Sequence, residues 1–428
     1  MKILLMDESN VADALSQVLC REGHNLYASN NHIGTRRWGT KTIGYREDLS
    51  NVIGEHWDLV IACGTNTNRD GQADRFREIG VPVVGAGGKG FRLEEKHVGR
   101  KAFQEAGLRC PAWRSFEHNT EAIAFLKTCT WTGVVVKFTE TNRPFRTTVC
   151  PDLIDAVFTL ERVPGGEVVL EEMVEGEEIA MACYFDGHKF IPSVTTMEHK
   201  HLWPGKRGVL TPEMGTLVFY DPTQKWIDAF NSLLESPTAR EHLRGYRGLI
   251  DINAIADEDG FIVPLEFTCR FGVPQTDIMS ALLKREDSHY GEFILGIAKG
   301  DADPSLLCHS DKFAVGANLV ICGYPYHEIY PDICHTGSPI QGWESLTCHF
   351  TFGVVGEQDR ALTTLAPWVM CVTGVGDTLA EARSELYLNA NRVSFQDMIF
   401  RDDIGSEFDW VRDRLAKKGV ISHERAER

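Results

Sequence analysis

The 428-residue chain has no two cysteines at Cys-x-x-Cys spacing; its twelve cysteines are scattered singly. Neither a disulfide framework nor a structural zinc site is expected, and so many unpaired thiols suit a reducing cytoplasm. No apolar stretch approaches the roughly 18 residues a membrane-spanning helix needs. The apolar run Ile3 to Met6 is broken at once by Asp7 and Glu8, so neither a signal peptide nor a span is expected. Basic runs are missing too: Lys plus Arg number 44 against 61 Asp plus Glu, a formal charge of −17. Without a phosphate-tracking stripe, unassisted nucleic-acid binding is not expected. There is no internal repeat and no low-complexity segment. What the chain does have is length and 43% hydrophobic content, enough for two or three domains, each with its own core.

The first ninety residues alternate short apolar runs (Ile3 to Met6, Leu26 to Ala28, Leu59 to Cys63, Val81 to Val84) with polar helical stretches, which predicts parallel β-α units. Lys89 to Glu95 connects these to an amphipathic stretch, Lys96 to Leu108. From Pro111 to about Val174 the pattern predicts a small α+β lobe: strands near Trp113, at Val134 to Phe138 and Thr147 to Val149, helices at Thr120 to Thr128 and Leu153 to Arg162, and a final strand into Val168-Val-Leu-Glu-Glu-Met-Val174. A larger lobe follows to about Gly300. After the charged joint Lys299 to Asp303 come a strand at Ala314 to Ile321, a stretch punctuated by Gly and Pro, more strands and a helix from Leu379 to Asn389. The charged tail, residues 414–428, reads as a solvated helix. The expected division is 1–95, 96–300 with its small lobe at about 112–174, 301–413 and the tail.

Two segments carry the chemistry. In Val168 to Glu178 a strand ends in the apolar pair Met173 and Val174, whose backbone can serve adenine; beyond Gly176, Glu178 can accept both ribose hydroxyls. In Pro264 to Gly272, Glu266 lies on a strand, where a carboxylate can hold the magnesium that bridges the phosphates. Upstream, the β-branched run Gly133 to Lys137 ends in a lysine, and Lys96 opens its helix. By composition alone the first segment also suits a half-buried strand followed by an acidic turn.

Two lysines, an acidic hinge and a metal-strand glutamate in this order resemble the ATP-grasp family. Within it the chain is similar over nearly its whole length to the glycinamide ribonucleotide synthetases, the phosphoribosylamine–glycine ligases. The likeness is carried by Glu198-His199-Lys200, Cys322 to Pro325, Val369 to Thr373, Gly376 to Ala382 and Arg401 to Gly405. The resemblance implies an α/β and α+β multidomain fold: an N-terminal Rossmann-like parallel-sheet domain, an ATP-grasp double lobe and a small C-terminal α+β domain. It implies ATP and Mg²⁺, a glycine-like carboxylate and an amine as substrates, and a monomer or homodimer. ATP would phosphorylate the carboxylate, and the amine would attack the acyl phosphate. The expected nucleotide residues are Lys96, Lys137, Glu171, Met173, Val174 and Glu178. Lys137, Lys200 and Arg270 are the expected catalytic groups, with Arg270 holding the carboxylate or acyl phosphate.

Departures from the family pattern shape the expected specificity. The family's Glu-Phe-Asn is Glu266-Phe-Thr268, so the metal set reads Glu266 and Thr268 with Asn253, or Asp251 on the same strand face, as a supplement. The glycine-rich phosphate loop is 139–146, which contains no glycine, so Arg143 or Arg146 is expected to cover the phosphates instead. The family's Gly-x-Gly-Gly-Arg-Glu turn is Asp7 to Ala12, its lysine before Gly-Tyr-Pro is Cys322, and Gly-Gly-Arg is Ala366-Pro-Trp368, where the tryptophan suits stacking on a flat ring or a core position. The Asn-Thr-Gly-Gly-Met-Gly loop is Leu210 to Gly215, and Gly-Asp-Pro-Glu is Gly272 to Gln275. The loss of two cations and a phosphate nest leads to the expectation of an altered amine acceptor. One alternative is a divergent phosphoribosylamine–glycine ligase contacting phosphate through Lys200, Lys206 and Arg207. The other is a non-catalytic ATP-binding protein.

Overall fold

The computed structural model describes residues 1–7, 11–29, 39–42, 50–138, 147–163, 166–284, 286–328 and 331–428. The N-terminal segment forms a five-stranded parallel sheet from β1 (Lys2–Met6), β2 (Asn25–Ala28), β3 (Lys41–Thr42), β4 (Leu59–Ala62) and β5 (Val83–Val84), in the order β3-β2-β1-β4-β5. β1 and β4 are completely or almost completely buried, as expected of continuous apolar runs in a sheet covered on both faces. The run expected from Val81 is shorter because the Val81 amide still closes a turn on the Phe76 carbonyl.

The small lobe is a four-stranded antiparallel sheet of β6 (Trp113–Phe116), β7 (Val134–Phe138), β8 (Thr147–Cys150) and β9 (Val168–Glu172), ordered β6-β9-β7-β8. Its helices Asn119–Leu126 and Leu153–Arg162 pack on one face through Ala122, Leu126, Ala156 and Leu160. Asp152 starts the second helix by accepting from the Ile154 and Asp155 amides at 2.8 and 2.9 Å.

The body of the molecule is one nine-stranded antiparallel sheet. Its path is β16 (Ile262–Thr268), β15 (Gly248–Asp257), β10 (Gly176–Phe185), β11 (Phe190–Glu198), β14 (Gly215–Phe219), β17 (Phe313–Ile321), β21 (Trp368–Gly376) and β18 (His349–Phe352), with β22 (Met398–Ile399) beside β17. Residue 300 therefore marks no break in the sheet: β14 and β17, on either side of it, pair from Gly215↔Ala317 to Phe219↔Phe313. Two two-stranded ribbons lie off this path, β12 (His201–Trp203) with β13 (Arg207–Leu210) and β19 (Val355–Gln358) with β20 (Ala361–Thr364). One sheet face carries Met181, Ile252, Ala254 and Leu217 into the larger core beneath helices Lys96–Glu105 and Gln224–Ser232. The other carries Ala182, Tyr184 and Val218 toward the N-terminal domain and helices Gln275–Ser280 and Tyr290–Lys299.

The tail corrects an expectation. Residues 414–428 are not a solvated helix: Leu415, Ala416, Val420, Ile421 and Ala426 are buried in the main core. Arg425 is 4% exposed and ion-paired to Asp311 at 2.6 Å. The charges lie on the outer side of helix Phe408–Lys417, whose Phe408, Val411 and Leu415 repeat at helical spacing on the inner side.

Candidate active site

A cleft of 1030 Å³ opens between the small lobe and the large sheet, walled by Val135, Lys137, Met173, Val174, Glu178, Lys200 and Glu266 among others. Its hinge is the end of β9. The Met173 amide donates to the Gly133 carbonyl at 3.0 Å, whereas the Val174 amide of the same pair has no hydrogen bond among the described residues. Gly176 has φ +151°, and a Cβ there would lie 2.3 Å from the Ala256 carbonyl oxygen. Only glycine lets the hinge run this close to β15. Glu178 follows on β10 and lines the cleft, its carboxylate 2.9 Å from the Lys200 ammonium.

Lys137 reaches the Glu171 carboxylate at 2.6 Å, and Arg100 of helix Lys96–Glu105 holds the other Glu171 oxygen at 2.5 Å. Arg100 and Glu171 are each 3% exposed. Burial alone would raise the Glu171 carboxyl; Lys137 and Arg100 outweigh it and hold it below its ordinary value. Burial lowers the Lys137 ammonium against the pull of Glu171. Glu171 lines the cleft as a buried bracket, one carboxylate oxygen on Lys137 and the other on Arg100. Arg100 was not anticipated. Its place on the same helix face as Lys96, one turn on, was the available signal.

Across the cleft, Lys96 is ion-paired with Glu266. Lys96, ahead of the opposing effect of burial, and then Lys200 and Lys137 hold the Glu266 carboxyl well below the usual carboxylate range. Strand pairing sets Asn253 opposite Glu266 and Asp251 opposite Thr268, so all four share the sheet face that the cleft reaches. The Asn253 side-chain oxygen is buried without a partner. A carboxylate with a free amide oxygen beside it fits Mg²⁺, which takes one or two protein ligands and completes its shell with phosphate and water.

The remaining expected groups divide. Lys200 lines the cleft between Glu178 and Glu198, both at 2.9 Å. Burial alone would lower its ammonium; Glu178, Glu198 and Glu266 hold it well above its ordinary value. Arg270 does not join the cleft wall, because its guanidinium turns to Glu94, 3.6 Å away, in the turn before Lys96. Lys206 lines the cleft and pairs with Glu407 at 3.1 Å, whereas Arg207 bonds the Pro204 carbonyl. Arg143 and Arg146 lie outside the described residues. Trp368 is a structural residue: its indole donates to Asn318 at 3.1 Å and its ring packs where Gly353 leaves room. Asp7 caps helix Ala12–Arg21 through the Ala12 amide at 3.1 Å.

The C-terminal part closes one end of the cleft with Pro325, Tyr326 and Arg401. Arg401 grips Asp403 through two bonds of 2.7 Å and the His201 carbonyl at 3.0 Å, and the Gly405 amide donates to His199 Nε2 at 3.1 Å. This docks the segment Glu198-His199-Lys200 onto Arg401 to Gly405. Burial pushes the His199 imidazole down to about 4.

Two family models match in succession. The phosphoribosylglycinamide synthetase ATP-grasp (A) domain covers residues 94–276, and the C domain of the same enzyme covers residues 315–407. The chain belongs to the phosphoribosylglycinamide synthetase family, within the ATP-grasp enzymes. Among curated relatives, the phosphoribosylamine–glycine ligase of Clostridium acetobutylicum is 25% identical over 362 residues, 81% of this chain and 84% of its own length. That of Allochromatium vinosum is 29% identical over 356 residues, 78% of this chain and 80% of its own. The crystal structure of the Thermotoga maritima phosphoribosylamine–glycine ligase matches with a TM-score of 0.76 at 22% identity, covering 95% of this chain and 100% of that one. The expected multidomain ATP-grasp fold is thus the observed one. No helix among the described residues is long and apolar enough to cross a membrane.

Proposed function

We propose that the protein is an ADP-forming carboxylate–amine ligase. A carboxylate oxygen attacks the γ-phosphorus of ATP and ADP leaves. The amine nitrogen then attacks the acyl carbon, phosphate departs with the bonding pair, and an amide forms. The observation that carries this reading is the convergence on one cleft of Lys137, Glu178, Lys200 and Glu266, drawn from four separate stretches of chain, with Lys96 ion-paired to Glu266. In a loose phosphoryl-transfer transition state, charge spreads over the γ-oxygens, and ammonium groups fixed nearby stabilise it without covalent help. Lys137 is held for that task by Glu171, and Lys96 by Glu266. A magnesium ion at Glu266, with Asn253, would add a second neutralising charge and orient the phosphates. Glu178 receives the ribose and the Val174 amide the adenine. A scaffold that merely bound ATP would not need both phosphate-side lysines and the metal carboxylate together. The twelve unpaired cysteines favour a cytoplasmic setting.

Glycine is the acid we propose, following the names of the relatives. Those names also favour phosphoribosylamine as the amine, and the comparisons lend a changed acceptor no support. What favours a changed acceptor is Glu213 in the loop Leu210 to Gly215, an acid where the family pattern has glycine, buried behind the cleft wall with no ion pair among the described residues. The test is Mg²⁺-ATP consumption with glycine and a panel of amines, products weighed by mass spectrometry. ADP formed only with phosphoribosylamine supports the relatives' activity; ADP and an amide with another amine supports a changed acceptor; no amine-dependent ADP from any acid and amine sinks the ligase reading.

A further inference from the structure

The ion pairs around the cleft differ in their balance. Lys96 faces one carboxylate, Glu266, and Lys200 faces two, Glu178 and Glu198. At the C-terminal end Lys206 is matched by Glu407 and Arg401 by Asp403. Around Glu171 alone, among these described pairs, cations outnumber the acid: Lys137 holds one oxygen at 2.6 Å and Arg100 the other at 2.5 Å. A cleft that receives the phosphates of ATP needs positive charge that its own acids have not consumed. The group of Arg100, Glu171 and Lys137 is where the described residues supply it.

That surplus is delivered through position. Lys137 and Glu171 line the cleft, whereas Arg100 is 3% exposed and meets the cleft through Glu171. Burial works against the charge on Glu171, and Lys137 and Arg100 together sustain it. With Lys137 as its sole partner, the carboxylate would cancel the ammonium and compete with a phosphate for its hydrogens. With Arg100 on its second oxygen that charge is already answered, and the ammonium keeps its attraction for an anion on the cleft side. Arg100 is also fixed from outside the small lobe. Its helix, Lys96–Glu105, buries Val98, Ala102 and Phe103 in the main core, and Phe103 stacks on Phe267 of β16 with ring centroids 4.1 Å apart. Phe267 follows Glu266, so the strand with the candidate metal carboxylate and the arginine that steadies Glu171 share one anchor.

We propose that Arg100 is a positioning residue for phosphate binding: it takes up the charge of Glu171, so that the Lys137 ammonium stays available to the phosphates of ATP. The proposal rests on reading the cleft as the ATP site and not on which acid or amine is joined. Titration calorimetry of the full-length protein with Mg²⁺-ATP and with adenosine tests it, because adenosine occupies the same hinge without phosphates. Arg100→Met is expected to weaken ATP about 10- to 100-fold and adenosine by less than about twofold. Arg100→Lys, which keeps the charge, is expected to restore most of the ATP affinity. The deciding variant combines Arg100→Met with Glu171→Gln, which removes the acid together with its second cation and leaves an amide oxygen to accept from Lys137. It is expected to bind ATP about tenfold more tightly than Arg100→Met alone, whereas a merely structural Arg100 predicts a double variant no better than the single one. Equal losses for adenosine and ATP, unchanged ATP affinity in Arg100→Met, or no recovery in the double variant overturns the proposal. A parent that binds ATP no more tightly than adenosine overturns it together with the nucleotide reading. The expected binding pattern without acid- and amine-dependent ADP release upholds it and removes the ligase reading alone.

Discussion

The nucleotide half of the cleft and the layer behind it treat charge in opposite ways. Facing the small lobe, these cations already have a carboxylate each: Lys96 with Glu266, Lys137 and Arg100 with Glu171, Lys200 with Glu178 and Glu198. Behind it, Glu213, Asp251 and three threonines keep oxygens unbonded. The first region is built to exist without its ligand, exchanging internal ion pairs for phosphate and metal when they arrive. In the second, burial raises both acids, Glu213 well above its ordinary value and Asp251 to about 8, which favours their uncharged forms. An anion entering the first region must part the ion pairs there, at a cost to its affinity.

The largest way to break this contrast is at Glu266. Glu266→Gln is expected to cut Mg²⁺-dependent ADP formation by on the order of 10²- to 10³-fold while adenine-nucleotide binding survives, read by steady-state kinetics beside nucleotide titration. Unchanged turnover would remove Glu266 from the site. Next is Glu171→Ala, which strands two buried cations and should cost about 3–5 kcal/mol in urea unfolding, far more than loss of the exposed pair Arg92–Glu95. A loss near 1 kcal/mol would mean the bracket is not buried as described.

Gly176→Ala sharpens the hinge. With φ +151° and the Ala256 carbonyl in the way, it should cost about 1–3 kcal/mol and weaken nucleotide binding, with the fold otherwise retained by circular dichroism. A subtler effect concerns pH. Burial pushes His199 and His309 down to about 4 from an ordinary 6.5. The unfolded chain then binds more protons than the native one between those values. Their stabilising contribution is whole above pH 6.5 and is lost as pH falls toward 4. The slope of unfolding free energy against pH should be shallower by up to about one proton in His309→Gln, and an identical slope would contradict a neutral buried imidazole. The smallest effect is Trp368→Phe, expected to cost about 1 kcal/mol for its bond to Asn318 and to leave acceptor kinetics unchanged; a raised acceptor KM would restore the stacking role.

How much of this was legible in the sequence depends on how local the cause was. Strand ends and hinge glycines declare themselves in linear order, so β7, β9, helix Leu153–Arg162 and the line Lys137, Glu178, Glu266 could be read directly. Arg270 could not, since Glu94, reached through the turn ahead of Lys96, decides its direction. Glu171 could be read as a cleft residue but its bracket could not, since the ion pair depends on Arg100 arriving from another lobe. The pair Met173 and Val174 was legible as a hinge, but not that the Gly133 carbonyl takes the Met173 amide. The tail misled through composition: its charges dominate the count, while the few apolar positions that bind it to the core follow a helical period. Glu213 sat in a segment flagged only for lost glycines, and nothing linear reveals that its carboxylate ends up enclosed.

The unbroken pairing of β14 with β17 carries a mechanical consequence. Because the large sheet runs through from the nucleotide side to the C-terminal strands, it moves as one slab. The small lobe hangs from that slab by two lengths of chain, before β6 and after β9, laced to each other where the Glu172 amide meets the Ala112 carbonyl at 2.8 Å. A change in the angle between the four-stranded lobe and the slab would turn about that double strap, and an insertion in either strap is expected to alter that angle without shifting the register of the large sheet.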